Sequence, residues 1–366
     1  MPKMRVLVVD DAVMMRRMIS GVLDDDPEIE VVGVAASGSI ALQKIPQVNP
    51  DAITMDVEMP GMNGIETVRE IRKSYRNLPI IMFSTLTSRG AAATLDAILA
   101  GATDYVAKPA NVGSITEGIE RLRLELIPKI KAHMNNQPKR SVSARASGLP
   151  ATARATGRKP SGGSIFHPPE ILCVGSSTGG PNALADVFEG ISSDFPLPIA
   201  IVQHMPPLFT QLLADRLSRI GNIPFFEGKE GMKLEPGKAY IAPGGKHMVV
   251  KKEGHDVYLS LNENPPENSC RPAVDVLFRS IVDVYGGNIL GVILTGMGKD
   301  GLRGCELIRE AGGEVVAQDE ESSVVWGMPG YVVQAGLANR ELPLLQIAQE
   351  INRRVSLCKQ SLSHAD

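Results

Sequence analysis

Between residues 173 and 181 the chain reads CVGSSTGGP, an apolar run that stops at two serines, a threonine and two glycines. Three chemistries suit such a stretch: a tight polar turn, a phosphate cradle, or a serine presented for nucleophilic attack. A dinucleotide cradle needs G-x-G-x-x-G and a P-loop needs G-x-x-x-x-G-K-[ST]. GSSTGG supplies neither. Near TGMGKDG, Lys299 follows Gly298, but Ile293 stands where the first glycine belongs and Asp300 where Ser or Thr belongs. The glycines still suit a helix start open to anions. Gly175–Gly179 has the form G-x-S-x-G centred on Ser177. Small neighbours let a strand turn sharply into a helix and leave the central hydroxyl exposed; the same residues also suit a plain helix N-cap.

A serine nucleophile needs a base, and the base needs an orienting acid. His133 and His167 lie in or beside a polar linker, His364 in the tail, His255 in a hairpin turn and His247 at the start of a short strand. Only His204 ends a long apolar strand, PIAIVQ. Asp300 follows another, in the glycine-rich turn of GVILTGMGKDG. The chain order Ser, His, acid differs from the Ser, acid, His order of α/β-hydrolases, so this would be a separate solution to the same geometry. Singly, His204 also reads as a satisfied structural histidine and Asp300 as a cap.

A second constellation stands nearer the N-terminus. Asp10 and Asp11 follow the first apolar run, Asp56 the third, Ser84 ends the fourth and Lys108 the fifth. Clustered carboxylates suit a hard cation such as Mg²⁺. A lysine holds a phosphoryl oxygen, and one carboxylate can become the phosphoryl acceptor. One Asp after a strand is ordinarily a turn or cap; five matched positions at the ends of four runs are not.

These groups need strands whose carboxyl ends share an edge, where ligands gather in parallel α/β sheets. RVLVVD (5–10), IEVVGVAA (29–36), DAITMD (51–56), PIIMFS (79–84) and DYVAK (104–108) predict five strands with helices between them. Continuous apolar strands alternating with helices imply a parallel sheet covered on both faces. Residues 131–164 break the pattern: from 132 onward there is no acid, no aromatic and six Lys/Arg, the composition of a flexible basic linker. From 165 to 366 the alternation resumes with EILCVGSS (170–177), PIAIVQHM (198–205) and NILGVILTGM (288–297). KAYIAP (238–243), KHMVVKK (246–252) and DVYLSL (256–261) predict short strands of a hairpin excursion. Two α/β domains, 1–130 and 165–366, are therefore expected.

Composition narrows the classes. The chain has 366 residues, 43% apolar and only 4% aromatic, so two aliphatic cores are expected. A net charge of −3 argues against a dedicated nucleic-acid binder. Cys173, Cys270, Cys305 and Cys358 form no C-x-x-C pair, so free thiols in a reducing cytoplasm are expected rather than a zinc ribbon or redox dithiol. The N-terminal apolar run is too short for a signal peptide, and no stretch reaches the roughly 18–20 apolar residues of a membrane span.

VLVVDD, MDVEMPGMNG, FSTLT and YVAKP resemble the receiver domain of two-component response regulators. The resemblance implies a flavodoxin-like fold, Asp56 as phosphoacceptor, Mg²⁺ held by Asp10, Asp11 and Asp56, and phosphoryl contacts from Ser84 and Lys108. Tyr105 matches an aromatic position that shifts on activation, and simple packing would equally account for it. GSSTGG, QHMP, YIAPGGKHM and LTGMGKDG, in that order, resemble the catalytic domain of bacterial chemotaxis protein-glutamate methylesterases (CheB). That implies a Rossmann-like three-layer αβα domain with a hairpin insertion. Ser177 would be the nucleophile, His204 the base and Asp300 its orienting acid, with the Thr178 and Met297 amides facing the oxyanion. The implied substrates are glutamyl methyl esters, and glutamines, on chemotaxis receptors. A chemotaxis histidine kinase would be the phosphodonor, no cofactor would serve ester hydrolysis, and the receiver would partly cover Ser177 when unphosphorylated. A cytoplasmic monomer without membrane insertion is expected. Two other classes stay open on the residues alone: a non-catalytic binding module, and an esterase or amidase for small molecules.

Overall fold

The computed structural model describes residues 3–85, 87–108, 115–133 and 168–362. In the first module β1 (Met4–Val9), α1 (Val13–Asp24), β2 (Ile29–Ala35), α2 (Gly38–Val48), β3 (Ala52–Asp56), α3 (Gly64–Ser74), β4 (Ile80–Ser84), α4 (Ser88–Leu99), β5 (Asp104–Ala107) and α5 (Ile115–Ala132) alternate. The strands lie parallel in the order β2-β1-β3-β4-β5. Alternation along β1 shows why: Val6 and Val8 pack toward Leu122 and Leu126 of α5, while Leu7 and Val9 pack toward Val68 and Ile71 of α3. Side chains on opposite faces of one strand thus enter two cores. The strand order reverses between β1 and β3, which opens a crevice at their carboxyl ends.

In the second module β6 (Ile171–Ser176), α6 (Gly180–Glu189), β7 (Ile199–Gln203), α7 (Phe209–Ile220), β8 (Phe225–Glu227) and β9 (Ala239–Ile241) come first. Then follow β10 (His247–Glu253), β11 (Asp256–Asn262), α8 (Val274–Tyr285), β12 (Ile289–Ile293) and α9 (Leu302–Glu310). The chain continues through β13 (Glu314–Gln318), α10 (Met328–Gln334), β14 (Arg340–Leu342) and α11 (Leu344–Leu362). Seven parallel strands lie in the order β14-β13-β12-β6-β7-β9-β8. The chain steps from β6 outward through β7 on one side and through β12 on the other, so the crevice falls at β6.

Two expectations change here. KAYIAP joins no hairpin: β9 is fully buried and pairs in parallel with β7 and β8. Only β10 and β11 form the antiparallel excursion, from His247↔Asn262 to Glu253↔Asp256. Helix α5 runs to Ala132 and is followed by a buried His133, past the residue where the linker was expected to begin. The linker from 134 onward, with His167 and His364, lies outside the described residues.

The modules meet through α4 and β5 of the first against α6 and α7 of the second. The Tyr105 ring stacks on Phe209, with centroids 4.7 Å apart and planes 11° off parallel. Asp96 Oδ1 lies 2.5 Å from Arg216 Nη2, and Asn182 Nδ2 donates to the Ala102 carbonyl at 3.1 Å. Leu95 and Ile98 share one apolar cluster with Phe209 and Leu213.

Candidate functional site

Strand β6 ends at Ser176, whose side chain is fully buried and bonded to Gln203 Oε1 at 2.7 Å. Ser177 is the next residue and faces a cleft. Gln203, the last residue of β7, also donates to the Ser177 carbonyl at 2.9 Å and to the His204 carbonyl at 3.2 Å. One amide therefore ties the two strand ends together. The turn into α6 needs glycine: Gly179 has φ +77°, and a Cβ there would lie 2.6 Å from Val324 Cβ. Among the described residues, neither the Thr178 nor the Met297 amide has a hydrogen-bond acceptor. Thr178 is buried, and Met297 is 38% exposed at the cleft mouth.

His204 follows β7. Its Nε2 lies 2.7 Å from Asp300 Oδ2, so in the neutral ring the proton belongs on Nε2 and the lone pair on Nδ1. Asp300 is nearly fully buried, yet its oxygens are well met. Oδ2 also accepts from the Val274 amide at 2.7 Å, and Oδ1 from the Asp275 amide at 3.0 Å, Gly301 at 3.1 Å and Asn268 Nδ2 at 3.1 Å. Val274 and Asp275 open α8, so a helix N-terminus supports the charge. Burial raises the Asp300 carboxyl, but His204 and these amides outweigh it and hold it below its usual value. Burial pulls the His204 imidazole down; the bonds to Asp300 and Cys270 outweigh that and push it up to about 9.

The structure thus joins His204 to Asp300 and sets Ser177 in the same cleft of about 630 Å³. No hydrogen bond joins Ser177 Oγ to His204; Cys270 Sγ instead lies 3.5 Å from Nδ1. Catalytic hydrogen bonds are commonly loose without substrate. Four neighbours had not been singled out for the site: Gln203, Asn268, Cys270 and Asp275. Asn268 bridges Asp300 to Asp275 Oδ2 at 2.8 Å. Burial and the Asp300 charge push the Asp275 carboxyl up to about 6. The opposite wall of the cleft comes from the first module: Ile98, Tyr105, Glu125 and Lys129.

At the other crevice Lys108 Nζ lies 3.0 Å from Asp10 Oδ2 and 2.8 Å from Asp56 Oδ2. Ligand oxygens of Asp10, Asp11 and Asp56 lie within 4.8 Å of one another, with Asp11 exposed. Burial raises the Asp56 carboxyl; Lys108 pulls it back and the Asp10 charge adds to the rise. Ser84 is buried at the end of β4 and donates to the backbone of Thr85 and Gly90 at 3.1 and 3.2 Å. It lines the same small pocket as Asp56 and Lys108.

An acid cluster at one switch point, with serine, histidine and aspartate at another, defines a two-module α/β protein that carries a phosphoacceptor-type pocket in one module and a serine-hydrolase-type cleft in the other. Residues 6–120 match the response regulator receiver domain, and residues 172–351 match the CheB methylesterase family. The chain belongs to the CheB methylesterase family. It is 52% identical to a protein-glutamate methylesterase/protein-glutamine glutaminase of Trichodesmium erythraeum, over 97% of this chain and 100% of that relative. A relative of the same description from a Nocardioides species is 50% identical, over 99% and 98%. The crystal structure of the Thermotoga maritima CheB methylesterase catalytic domain is 39% identical, with TM-score 0.50, and covers 52% of this chain and 98% of that one.

Proposed function

We propose that this chain hydrolyses glutamate methyl esters on chemotaxis receptors, and deamidates receptor glutamines, with Ser177 as nucleophile, His204 as base and Asp300 as its orienting acid. The observation that carries the assignment is the 2.7 Å bond from His204 Nε2 to Asp300 beside Ser177. With Nε2 so engaged, Nδ1 takes the Ser177 proton as Oγ attacks the ester carbonyl. Ser177 Oγ displaces Cys270 from Nδ1 to do so. The developing oxyanion turns toward the Thr178 and Met297 amides, and each such donor is worth roughly 3–4 kcal/mol in the transition state. His204 returns its proton to the leaving methoxide, methanol departs, and water attacks the acyl-enzyme to give glutamate and free Ser177. With glutamine the leaving group is ammonia, and the remaining steps are the same.

Asp56 is the proposed phosphoacceptor. A receiver domain implies Mg²⁺-dependent phosphorylation by a histidine kinase, and the residues fit: oxygen donors only, and two buried carboxylates that share one lysine. Asp10, Asp11 and Asp56 would hold the ion, which supplies positive charge to the incoming phosphoryl oxygens. Lys108 contributes a fixed cation beside them, and the Ser84 hydroxyl is within the same pocket. Residues 1–130 and 165–366 serve as receiver and catalytic domain, joined by the linker of 131–164, whose first residues continue receiver helix α5 to Ala132. Among the described residues no helix is long and apolar enough to cross a membrane. The proposed enzyme acts as a cytoplasmic monomer. Methanol release from methylated receptor membranes tests the activity. A small methyl ester turned over as fast as the receptor, or no labelling of Ser177 by a serine-directed phosphonate, would overturn it. Acetyl phosphate tests the receiver: labelling should need Mg²⁺ and be lost in Asp56→Ala.

A further inference from the structure

Ester hydrolysis has no use for the thiol in the cleft, yet the fold holds it in place. Cys270 is half-buried, lines the cleft, and sets Sγ 3.5 Å from His204 Nδ1. Its loop passes through two left-handed residues, Asn268 at φ 52° and Ser269 at φ 63°. Reciprocal backbone bonds between Glu267 and Cys270, 3.1 and 2.9 Å, close the loop. Arg279 anchors Glu267 at 2.7 Å.

Ligand atoms of His204, Cys270 and Asp300 lie within 4.8 Å of one another. Zinc bonds run about 2.3 Å to sulfur and about 2.0–2.1 Å to imidazole nitrogen, and at a tetrahedral angle two such donors stand about 3.5 Å apart. That is the Cys270–His204 separation. Asp300 is already saturated by four donors besides its bond to Nε2. Its role would be to fix the tautomer: a carboxylate behind the ring is the common partner of a metal-bound histidine. Both ligands line the cleft, so water would fill the remaining coordination positions.

We infer that Cys270 and His204 form an inhibitory site for a thiophilic divalent cation of the zinc class. On binding, the cation replaces the Cys270 thiol proton and any proton on Nδ1, both of which leave to solvent, and takes the Nδ1 lone pair. Hydrolysis then stops for want of a base. The inhibition rests on His204 being that base; the binding does not.

The test uses the full-length protein in excess Mg²⁺, which occupies the oxygen-only acid cluster and does not compete for thiolate. Cobalt(II) serves as the spectroscopic probe and zinc chloride as the inhibitor. Wild-type protein should show a thiolate-to-cobalt charge-transfer band that zinc removes, and zinc should block methanol release until a chelator is added. The band should vanish in Cys270→Ser and weaken in His204→Asn, with folding of both checked by circular dichroism. The zinc concentration for half inhibition should rise at least about tenfold in Cys270→Ser, since loss of even a supporting partner behind a metal ligand costs 10–100-fold. No band in the wild type, or equal zinc sensitivity in Cys270→Ser, would overturn the site. A band with undiminished hydrolysis would overturn the inhibitory role and count against His204 as the base. Loss of zinc binding beside full dependence on Ser177 would leave the hydrolytic reading intact.

Discussion

Two adjacent serines have opposite fates, and the difference is one residue of strand register. Ser176 still belongs to β6 and points into the core toward Gln203, while Ser177 lies past the strand end. Ser177→Ala should abolish ester hydrolysis, by about 10⁶ where a serine nucleophile of this kind is removed. Ser176→Ala should cost about 1 kcal/mol of stability, the worth of one hydrogen bond, and keep most activity. The reverse pattern in a methanol-release assay would exchange the two roles. Asp300→Asn should lower turnover by about 10⁴, less than loss of the nucleophile, because the oxyanion donors survive. The pH profile follows from His204. A base accepts a proton only when neutral, and its folded pKa stands near 9, above the usual value of about 6.5. Hydrolysis should therefore rise with pH through the alkaline range. The stability that the raised pKa contributes runs the other way: full below about 6.5 and lost as pH climbs toward 9. A profile already flat at pH 7 would show that the imidazole is neutral there. Ser177, His204 and Asp300 could be singled out in the sequence because each stands at the end of an apolar run or in the turn that follows it. Asn268 and Cys270 could not, because they reach the site from the loop beyond the hairpin, where no apolar period announces them; Asp275 could not, because an acid in the first turn of a helix ordinarily reads as a charge set against the helix dipole.

The elements were legible where an apolar run was long and bounded by turns, and burial alone did not decide it: EVVAQ of β13 is mostly buried yet too short a run to single out. The long central strands β1, β3, β4, β6, β7 and β12 stand out as apolar runs because both faces are covered. The three-residue edge strands β8 and β14 are too short to show any period, and β9 was grouped with its hairpin neighbours because turns flank it on both sides. What binds the elements into a site is close approach at glycine. A Cβ on Gly180 would fall 1.9 Å from Gln203 Oε1, the amide that ties β6 to β7. Gly180→Ala should destabilise the catalytic module by about 1–3 kcal/mol through overpacking, read as a lower urea midpoint. Turnover should fall as well, since the displaced Gln203 releases the Ser177 and His204 carbonyls. Unchanged activity with reduced stability would mean that Gln203 serves only the fold.

At the scale of the whole molecule, the catalytic cleft is not the property of one module. The receiver contributes Ile98, Tyr105, Glu125 and Lys129 to its wall, held there by the Tyr105–Phe209 stack and the Asp96–Arg216 pair. Tyr105 stood out in the sequence only through the receiver resemblance, with simple packing as an equal account; its partner Phe209 did not stand out, because nothing in either segment states how two separate sheets will meet. A fragment of residues 165–366 should hydrolyse receptor esters faster than the unphosphorylated full-length chain, and phosphorylation at Asp56 should raise the full-length rate to that level or beyond. A folded fragment slower than the resting protein would make the receiver a docking element rather than a cover. The shared wall also carries an obligation in the opposite direction. Coupling free energies are reciprocal: if the phosphorylated receiver loosens its hold on the cleft, then whatever occupies the cleft must favour the phosphorylated receiver by the same factor. A receptor segment lodged against Ser177 should tighten the affinity of the Asp56 pocket for a phosphoryl mimic. The substrate would then report its own arrival to the module that governs its demethylation, and the messages between kinase and receptor would cross in one cleft, travelling both ways.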